Sequence, residues 1–160
     1  MQISDIHSIA LQLLNSDNSD YETAKLMPYT QGAIAKMQDL RIEVNDPNVI
    51  TQATTTFTNP INIPSDFACT VPKGASYPII QIDGKIKPTS SSFPQVTFKY
   101  AKTIPDVIYI TDVFPLPDYF AWFVAQYIKI QLELDNSMDV SQDVQLLQDR
   151  IDSYRKSRGV

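Results

Sequence analysis

The chain has 160 residues, of which 43% are hydrophobic and 19% charged, with one cysteine, one histidine and a formal net charge of −5. A single cysteine and a single histidine exclude a zinc cluster built from these ligands, and the negative charge argues against nucleic-acid binding through a basic face. The 44 Ser, Thr, Asn and Gln residues outnumber the 31 charged ones, so we expect a largely neutral, polar surface and a non-catalytic protein.

The sequence carries no recognisable targeting signal. Its first residues, MQISDIHS, lack the basic region ahead of an apolar stretch that a secretory signal requires. The most apolar stretch, Tyr119 to Leu134, is interrupted by four polar residues and is shorter than the about 20 apolar residues of a membrane span. We therefore expect a soluble protein made in a reducing cytoplasm, with Cys69 as a half-buried apolar side chain.

Two helices are predicted for residues 1–44. Apolar residues from Ile3 to Leu14 recur at gaps of three and four, which predicts a first helix over 3–14. The polar run from Asn15 to Asp20 ends this helix, because its side chains compete for backbone hydrogen bonds. A second helical pattern runs from about 21 to 42, and Pro28 predicts a kink or a fresh start within it. The two segments together predict a helical hairpin.

Residues 45–116 have the composition of short strands. Ten of the eleven prolines lie between Asn45 and Pro117, and Thr-, Val- and Ile-rich runs separate them. Asp83-Gly84, between IIQI and KIK, predicts a two-residue hairpin turn. The predicted strands cover 54–58, 61–63, 77–82, 95–101 and 107–111, and the predicted loops cover 73–76 and 90–92. This region is expected to be a small antiparallel β insertion.

Helices return after Pro117. Pro117 and Asp118 suit a first helical turn, and the following helix is expected to end near Asp135-Asn136. Trp122 lies partly outside the apolar face of this helix, so the helix is either buried on more than one side or contacts a partner. A last helix is predicted over about 140–156, where apolar residues recur at heptad-like gaps that favour an antiparallel helix pair.

The predicted fold class is α+β, a helical bundle formed by N- and C-terminal helix pairs with a small antiparallel β insertion. We expect one domain over 1–160. Its parts are a helical hairpin (1–44), a β-rich insertion (45–116) and a C-terminal helix pair with a basic tail (117–160).

The residues predict no catalytic, cofactor-binding or metal site. His7 lies at the edge of the first apolar stripe, so we expect a surface or rim histidine rather than a catalytic base. The acidic residues from Glu133 to Asp149 lack the spacing of a calcium loop and predict a solvated helix face. The four glycines lie too far apart for a phosphate-binding loop. An enzyme that uses His7 or the acidic helix is the least favoured alternative.

The last eight residues contain Arg155, Lys156 and Arg158 and no acidic residue. Such a tail either complements the dipole of the preceding helix or orders on an acidic partner as a docking element. The sequence leaves both interpretations open.

The order of elements resembles a known family. A leading helix with LQLLN precedes YTQGAIAKMQDL at 29–40, a strand-rich stretch contains IPSDF at 63–67, and FPLPDY at 114–119 opens an aromatic helix before a final amphipathic helix. Over nearly the whole chain, this pattern resembles the head-to-tail connector, or adaptor, proteins of tailed bacteriophages. Pro28 and the short tail after the last helix depart from the family pattern.

The resemblance implies a structural virion protein without enzymatic activity or cofactor. Such adaptors form a twelve-membered ring beneath the portal, extend the DNA channel and provide a platform for tail components, and they take part in genome ejection. The implied partners are the portal protein, distal tail or nozzle proteins and further copies of the chain, with DNA only as channel contents and no membrane. The implied location is the neck or tail of the virion, and the host cytoplasm during assembly. The alternatives are another phage neck or tail-completion protein, a bacterial assembly factor or a non-phage protein-interaction module.

Two groups of residues are assigned under this hypothesis. The residues expected to dock on the portal are Arg150, Tyr154, Arg155, Lys156 and Arg158. A closed ring requires two different faces on each protomer. The candidate residues for the protomer interface are Trp122 and Tyr119, and the β region with its loops is a second candidate face.

Overall fold

A computed structural model describes residues 1–15, 23–72 and 76–159 of the chain. The predicted break at 16–20 and most of the predicted loop at 73–76 lie outside these residues. The helices are α1 (Ile3–Leu13), α2 (Thr23–Glu43), α3 (Ala121–Asp135) and α4 (Ser141–Ser157). The strands are β1 (Ile50–Thr56), β2 (Ile61–Asn62), β3 (Phe67–Thr70), β4 (Ile79–Ile82), β5 (Lys85–Pro88) and β6 (Gln95–Lys102). The predicted mixed α+β class is confirmed.

Contacts within the chain define two compact units. The helical unit comprises Met1–Leu40 and Pro105–Val160, and the β unit comprises Arg41–Ile104. The expectation of a single domain stays a prediction. In the described parts of the chain, no helix is long and apolar enough to cross a membrane.

The core of the helical unit forms where α1 packs on α3, which also packs on α4. Ile3, Ile6 and Ala10 repeat along one face of α1 and are fully buried, as the spacing of apolar residues predicts. On α3, Val124, Ala125 and Ile128 are also fully buried. Gln126 and Ile130, which lie on nearly the opposite side of the helix from Ile128, are only 2% and 4% exposed, so α3 is buried on more than one side.

Helix α2 runs without interruption through Pro28. The fresh start allowed by the sequence is therefore not observed. Pro28 lacks the N–H that would bond to the carbonyl of Ala24, and both residues are exposed. Water can bond to that carbonyl, so the proline is tolerated within the first turns of the helix.

Two helices end in the same backbone motif. At the end of α2, Asn45 has a φ of 54°, and the N–H groups of Asn45 and Asp46 donate to the carbonyls of Ile42 and Arg41 over 3.1 and 2.9 Å. This pair of bonds forms a Schellman motif. Ser137, with a φ of 56°, occupies the equivalent position after α3, where the N–H of the next residue donates to the carbonyl of Glu133. The predicted end of α3 near Asp135-Asn136 is confirmed.

The β unit contains two three-stranded antiparallel sheets with strand orders β1-β6-β3 and β2-β5-β4. Strand β6 alternates exposed residues with the buried residues Val96, Phe98 and Tyr100. Phe98 and Tyr100 form a core with Ile86 of β5. The Thr55 hydroxyl of β1 donates to the carbonyl of Ile86 over 2.7 Å, and this bond links the two sheets.

The strand predictions are partly confirmed. Asp83 and Gly84 form the predicted hairpin turn, with φ values of 50° and 72° that suit a type I′ turn. The sequence did not predict β3, which includes the half-buried Cys69. The strand predicted over 107–111 is wrong. The Ile110 carbonyl accepts a hydrogen bond from the N–H of Ser4 in α1, and the Tyr109 carbonyl accepts one from the N–H of Asp112 within a turn. The Asp112 carboxylate accepts hydrogen bonds from the N–H groups of Ile108 and Tyr109.

Candidate docking surface

The residues assigned to docking and to the protomer interface meet where α3 begins and α4 ends. The Tyr154 ring of α4 lies edge-on to Phe120, with 5.3 Å between ring centroids, and 6.1 Å from the ring of Tyr119. The Arg158 guanidinium lies 5.4 Å from the centroid of the Tyr154 ring. Three of the predicted residues, Tyr119, Tyr154 and Arg158, therefore contact one another across two helices.

Two further predicted residues form a second pair on the same helices. The Arg150 guanidinium lies 5.3 Å from the ring centroid of Trp122, and the Trp122 ring packs edge-on against Phe123 at 5.7 Å. An exposed cation–π pair contributes about 0.5–1 kcal/mol. We call the five residues the cation–aromatic surface: Tyr119, Trp122, Arg150, Tyr154 and Arg158.

The start of α3 positions the aromatic side of this surface. Pro117, with a φ of −55°, precedes a 3-10 turn over Asp118–Phe120 that leads into α3. The N–H of Phe120 donates to the Pro117 carbonyl over 2.9 Å. As a result Phe120 is fully buried, whereas Tyr119 is exposed beside it. Phe120 is not among the residues that the sequence predicts for the site, although it is the buried ring on which Tyr154 packs.

Helix α4 supplies the cations and remains largely accessible. Leu147 is its one buried residue, and Arg150 and Arg158 are exposed. Arg155 forms a 2.9 Å ion pair with Asp152 one turn earlier, and Lys156 is exposed. Lys156 therefore adds positive charge next to the cation–aromatic surface, whereas Asp152 offsets the charge of Arg155.

The acidic residues do not form the uniformly solvated face that the sequence predicted. Glu133 is buried, and the Lys129 ammonium lies 3.4 Å from its carboxylate and 2.7 Å from that of Asp143. Gln126 donates to the same Asp143 oxygen over 2.7 Å. Although burial raises the pKa of Asp143, the hydrogen bonds from Lys129 and Gln126 hold it below its usual value. These groups join α3 to α4.

Other acidic residues have structural partners. Asp135 accepts a 2.6 Å hydrogen bond from the Tyr29 hydroxyl and lies 3.2 Å from the Lys25 ammonium, so it joins α2 to α3. Asp139 accepts a 2.9 Å bond from the N–H of Ser141 at the start of α4. Among residues 1–15, 23–72 and 76–159, no group of three or more His, Cys, Asp or Glu side chains is arranged to hold a metal ion.

The prediction of a surface position for His7 is wrong. His7 is buried between α1 and α2, with its Nε2 atom 2.8 Å from the Thr30 hydroxyl oxygen. The Thr30 hydroxyl donates to the carbonyl of Leu26 over 2.9 Å, so His7 Nε2 is the donor to Thr30. Burial lowers the pKa of His7 and favours its neutral form. The side chain is covered because α2 packs on the edge of the α1 stripe.

No model of a known protein family matches the chain, and no curated protein matches its sequence.

Proposed function

We propose that the chain is a head-to-tail adaptor of a tailed bacteriophage, which forms a ring beneath the portal, extends the DNA channel and carries distal tail components. The observation that supports this function is the cation–aromatic surface. Aromatic and arginine side chains contribute most of the binding energy at many protein interfaces. Because ring stacking already restricts these side chains, less conformational entropy is lost when a partner binds.

We also propose that the two terminal helix pairs form one four-helix bundle. Helix α3 packs on both α1 and α4, and α2 joins the others through side chains. The bond between His7 and Thr30 links α1 to α2. The Lys36 ammonium lies 4.6 Å from the ring centroid of Tyr127 and links α2 to α3. A bundle held in this way provides a rigid support for the docking surface at the end of α4.

The composition supports assembly of many copies around a DNA channel. A surface rich in neutral polar groups limits repulsion between neighbouring copies of an acidic chain. A channel of net negative charge does not bind DNA phosphates strongly, so it lets DNA pass. In this proposal the partners are the portal, distal tail proteins and further copies of the chain, with DNA only as channel contents.

The test is assembly with the portal protein of the same phage. We expect rings of discrete stoichiometry in electron micrographs of the mixture. The double variant Arg150→Ala/Arg158→Ala should raise the dissociation constant for the portal by about tenfold or more. The control is Lys99→Ala, which removes an exposed cation of β6 outside the helical unit and should leave portal binding unchanged.

A deletion separates docking from packing. Removal of residues 156–160 keeps Tyr154, which packs on Phe120, so the melting temperature should change little while portal binding weakens. Separate elution of chain and portal at every near-physiological salt concentration would contradict the adaptor function. Binding to another neck or tail protein, without binding to the portal, would instead support the alternative of a tail-completion protein.

A further inference from the structure

One loop of the helical unit presents apolar side chains on a well-supported backbone. We call Pro105–Val113 the apolar loop, because Ile108, Tyr109 and Val113 are 62%, 66% and 73% exposed. The Asp112 carboxylate accepts 2.8 Å hydrogen bonds from the N–H groups of Ile108 and Tyr109. Two carbonyls of the loop accept bonds of 2.9 and 3.0 Å from the first N–H groups of α1. The loop is therefore held in shape while its large side chains face solvent.

The apolar loop and the start of α1 carry acidic side chains and no lysine or arginine. The stretches 1–24 and 103–128, which supply the start of α1 and the loop, contain no Lys or Arg. Asp106 in the loop and Asp5 near the start of α1 are both exposed. A partner for this loop should accordingly combine apolar side chains with positive charge.

The β4–β5 hairpin has a face with those properties. Ile80 pairs with Lys87 and Ile82 pairs with Lys85, and directly opposite residues in an antiparallel pair share a face. The two isoleucines are 39% and 46% exposed. Ile86, which alternates with the lysines along β5, is buried on the other face. From Gly84 to Pro105 the sequence contains four lysines and no acidic residue.

We propose that the apolar loop of one copy packs on the outer face of the β4–β5 hairpin of a second copy. Ile108 and Tyr109 cover Ile80 and Ile82, and Asp106 lies near the hairpin lysines. The inference rests on the proposed ring, because a contact between two different faces of the same chain is heterologous, and a ring requires such contacts. The acidic and basic faces set the direction of the contact, since two identical faces would repel each other.

The experiment traps the contact with a disulfide between two single-cysteine chains. Both full-length chains carry Cys69→Ser; one adds Tyr109→Cys and the other Ile82→Cys. The two chains are mixed with a mild oxidant such as diamide, and the rate at which a disulfide-linked mixed dimer forms is measured. This rate should be about tenfold higher than for a mixture of Tyr109→Cys with the control variant Leu134→Cys, because contact raises the effective concentration of the two thiols. Leu134 is about as exposed as Ile82, at 49%, and lies on α3.

Charge variants test the direction of the contact. Asp106→Lys should slow the formation of the mixed dimer severalfold, and Lys87→Glu on the other chain should restore it. Equal rates with Ile82→Cys and Leu134→Cys, or linkage of Tyr109→Cys only to itself, would overturn the proposal. A ring on the portal that these cysteines do not link overturns this contact and leaves the proposed function in place. Rapid linkage without portal binding supports the contact and counts against the adaptor function.

Discussion

Asp46 holds the turn that leads from α2 into β1. Its Oδ2 atom accepts a 2.8 Å hydrogen bond from Arg41 Nε, and its Oδ1 atom accepts bonds of 2.9 and 3.0 Å from the backbone and side-chain amides of Asn48. Asp46 is 1% exposed and Arg41 is 5% exposed. The substitution Asp46→Asn keeps the size of the side chain and removes its charge, so we predict a large loss of stability.

The magnitude follows from the burial of the guanidinium. Loss of one partner of a buried ion pair costs about 3–5 kcal/mol, because the other charge stays buried without it. For a chain of this length, 1 kcal/mol corresponds to about 2–4 °C in Tm, so we expect Tm to fall by about 6–20 °C. Adding Arg41→Met to Asp46→Asn should recover part of this loss, since the buried positive charge is then absent as well.

The effect should depend on pH. Burial raises the pKa of Asp46, but the hydrogen bonds from Arg41 and Asn48 together hold it below its usual value. A carboxyl with a lower pKa in the folded state stabilises the fold above its unfolded pKa of about 4, and this contribution is lost as the pH falls through the folded pKa. The difference in unfolding free energy between wild type and Asp46→Asn should therefore be constant near neutral pH and shrink in acid.

Urea unfolding followed by circular dichroism over a series of pH values measures this difference. The control is Asp83→Asn in the exposed hairpin turn, where Asn-Gly suits the turn as well as Asp-Gly, so its effect should stay within about 0.5 kcal/mol. A loss below about 1 kcal/mol for Asp46→Asn, the size of a surface ion pair, would refute the reasoning. So would a loss that does not change with pH.

Three further substitutions test the packing of the helical unit by urea unfolding. Ser137→Gly should stabilise by about 0.5–1 kcal/mol, because a left-handed φ costs serine more than glycine; a destabilised variant would contradict this. Lys129→Met should destabilise by about 3 kcal/mol at neutral pH, and the deficit should shrink in acid as Asp143 takes up a proton; a constant deficit would argue against the network. Phe120→Ala should cost about 3–5 kcal/mol by leaving a cavity, and an unchanged Tm would contradict the buried position of the ring.

The elements that sequence predicts well depend on nearby residues. The hairpin at Asp83-Gly84 follows from the conformations that these two residues adopt at low cost. The start of α3 after Pro117 and its end near Asp135 follow from the fixed φ of proline and from the loss of apolar periodicity. These turns and helix ends are determined by the conformational preferences of a few neighbouring residues, so they can be predicted without knowledge of the tertiary packing.

The incorrect predictions concern contacts between distant segments. On the sequence alone, His7 lies at the edge of the apolar stripe of α1, but in the fold its side chain is buried against α2. The stretch 107–111 has strand composition, but its Ile110 carbonyl accepts a hydrogen bond from the start of α1 and its Tyr109 carbonyl accepts one within a turn, so neither pairs with a neighbouring strand. In the candidate site, the sequence predicts Trp122 and Arg150 as separate candidates but does not predict that they contact each other. Their contact depends on how α4 is rotated against α3, which is set by packing along both helices.

The distribution of charge leads to a last prediction about self-association. A net charge of −5 by itself implies repulsion between copies, which salt would screen, so association would strengthen as salt is added. The acidic stretch 103–128 and the basic stretch 84–102 imply the opposite, because salt weakens an attraction between complementary faces. We expect sedimentation equilibrium to show weaker self-association as salt increases, and Asp106→Lys to weaken this dependence. Association that strengthens with salt would show that net charge outweighs the two faces and would contradict the contact between the apolar loop and the β4–β5 hairpin.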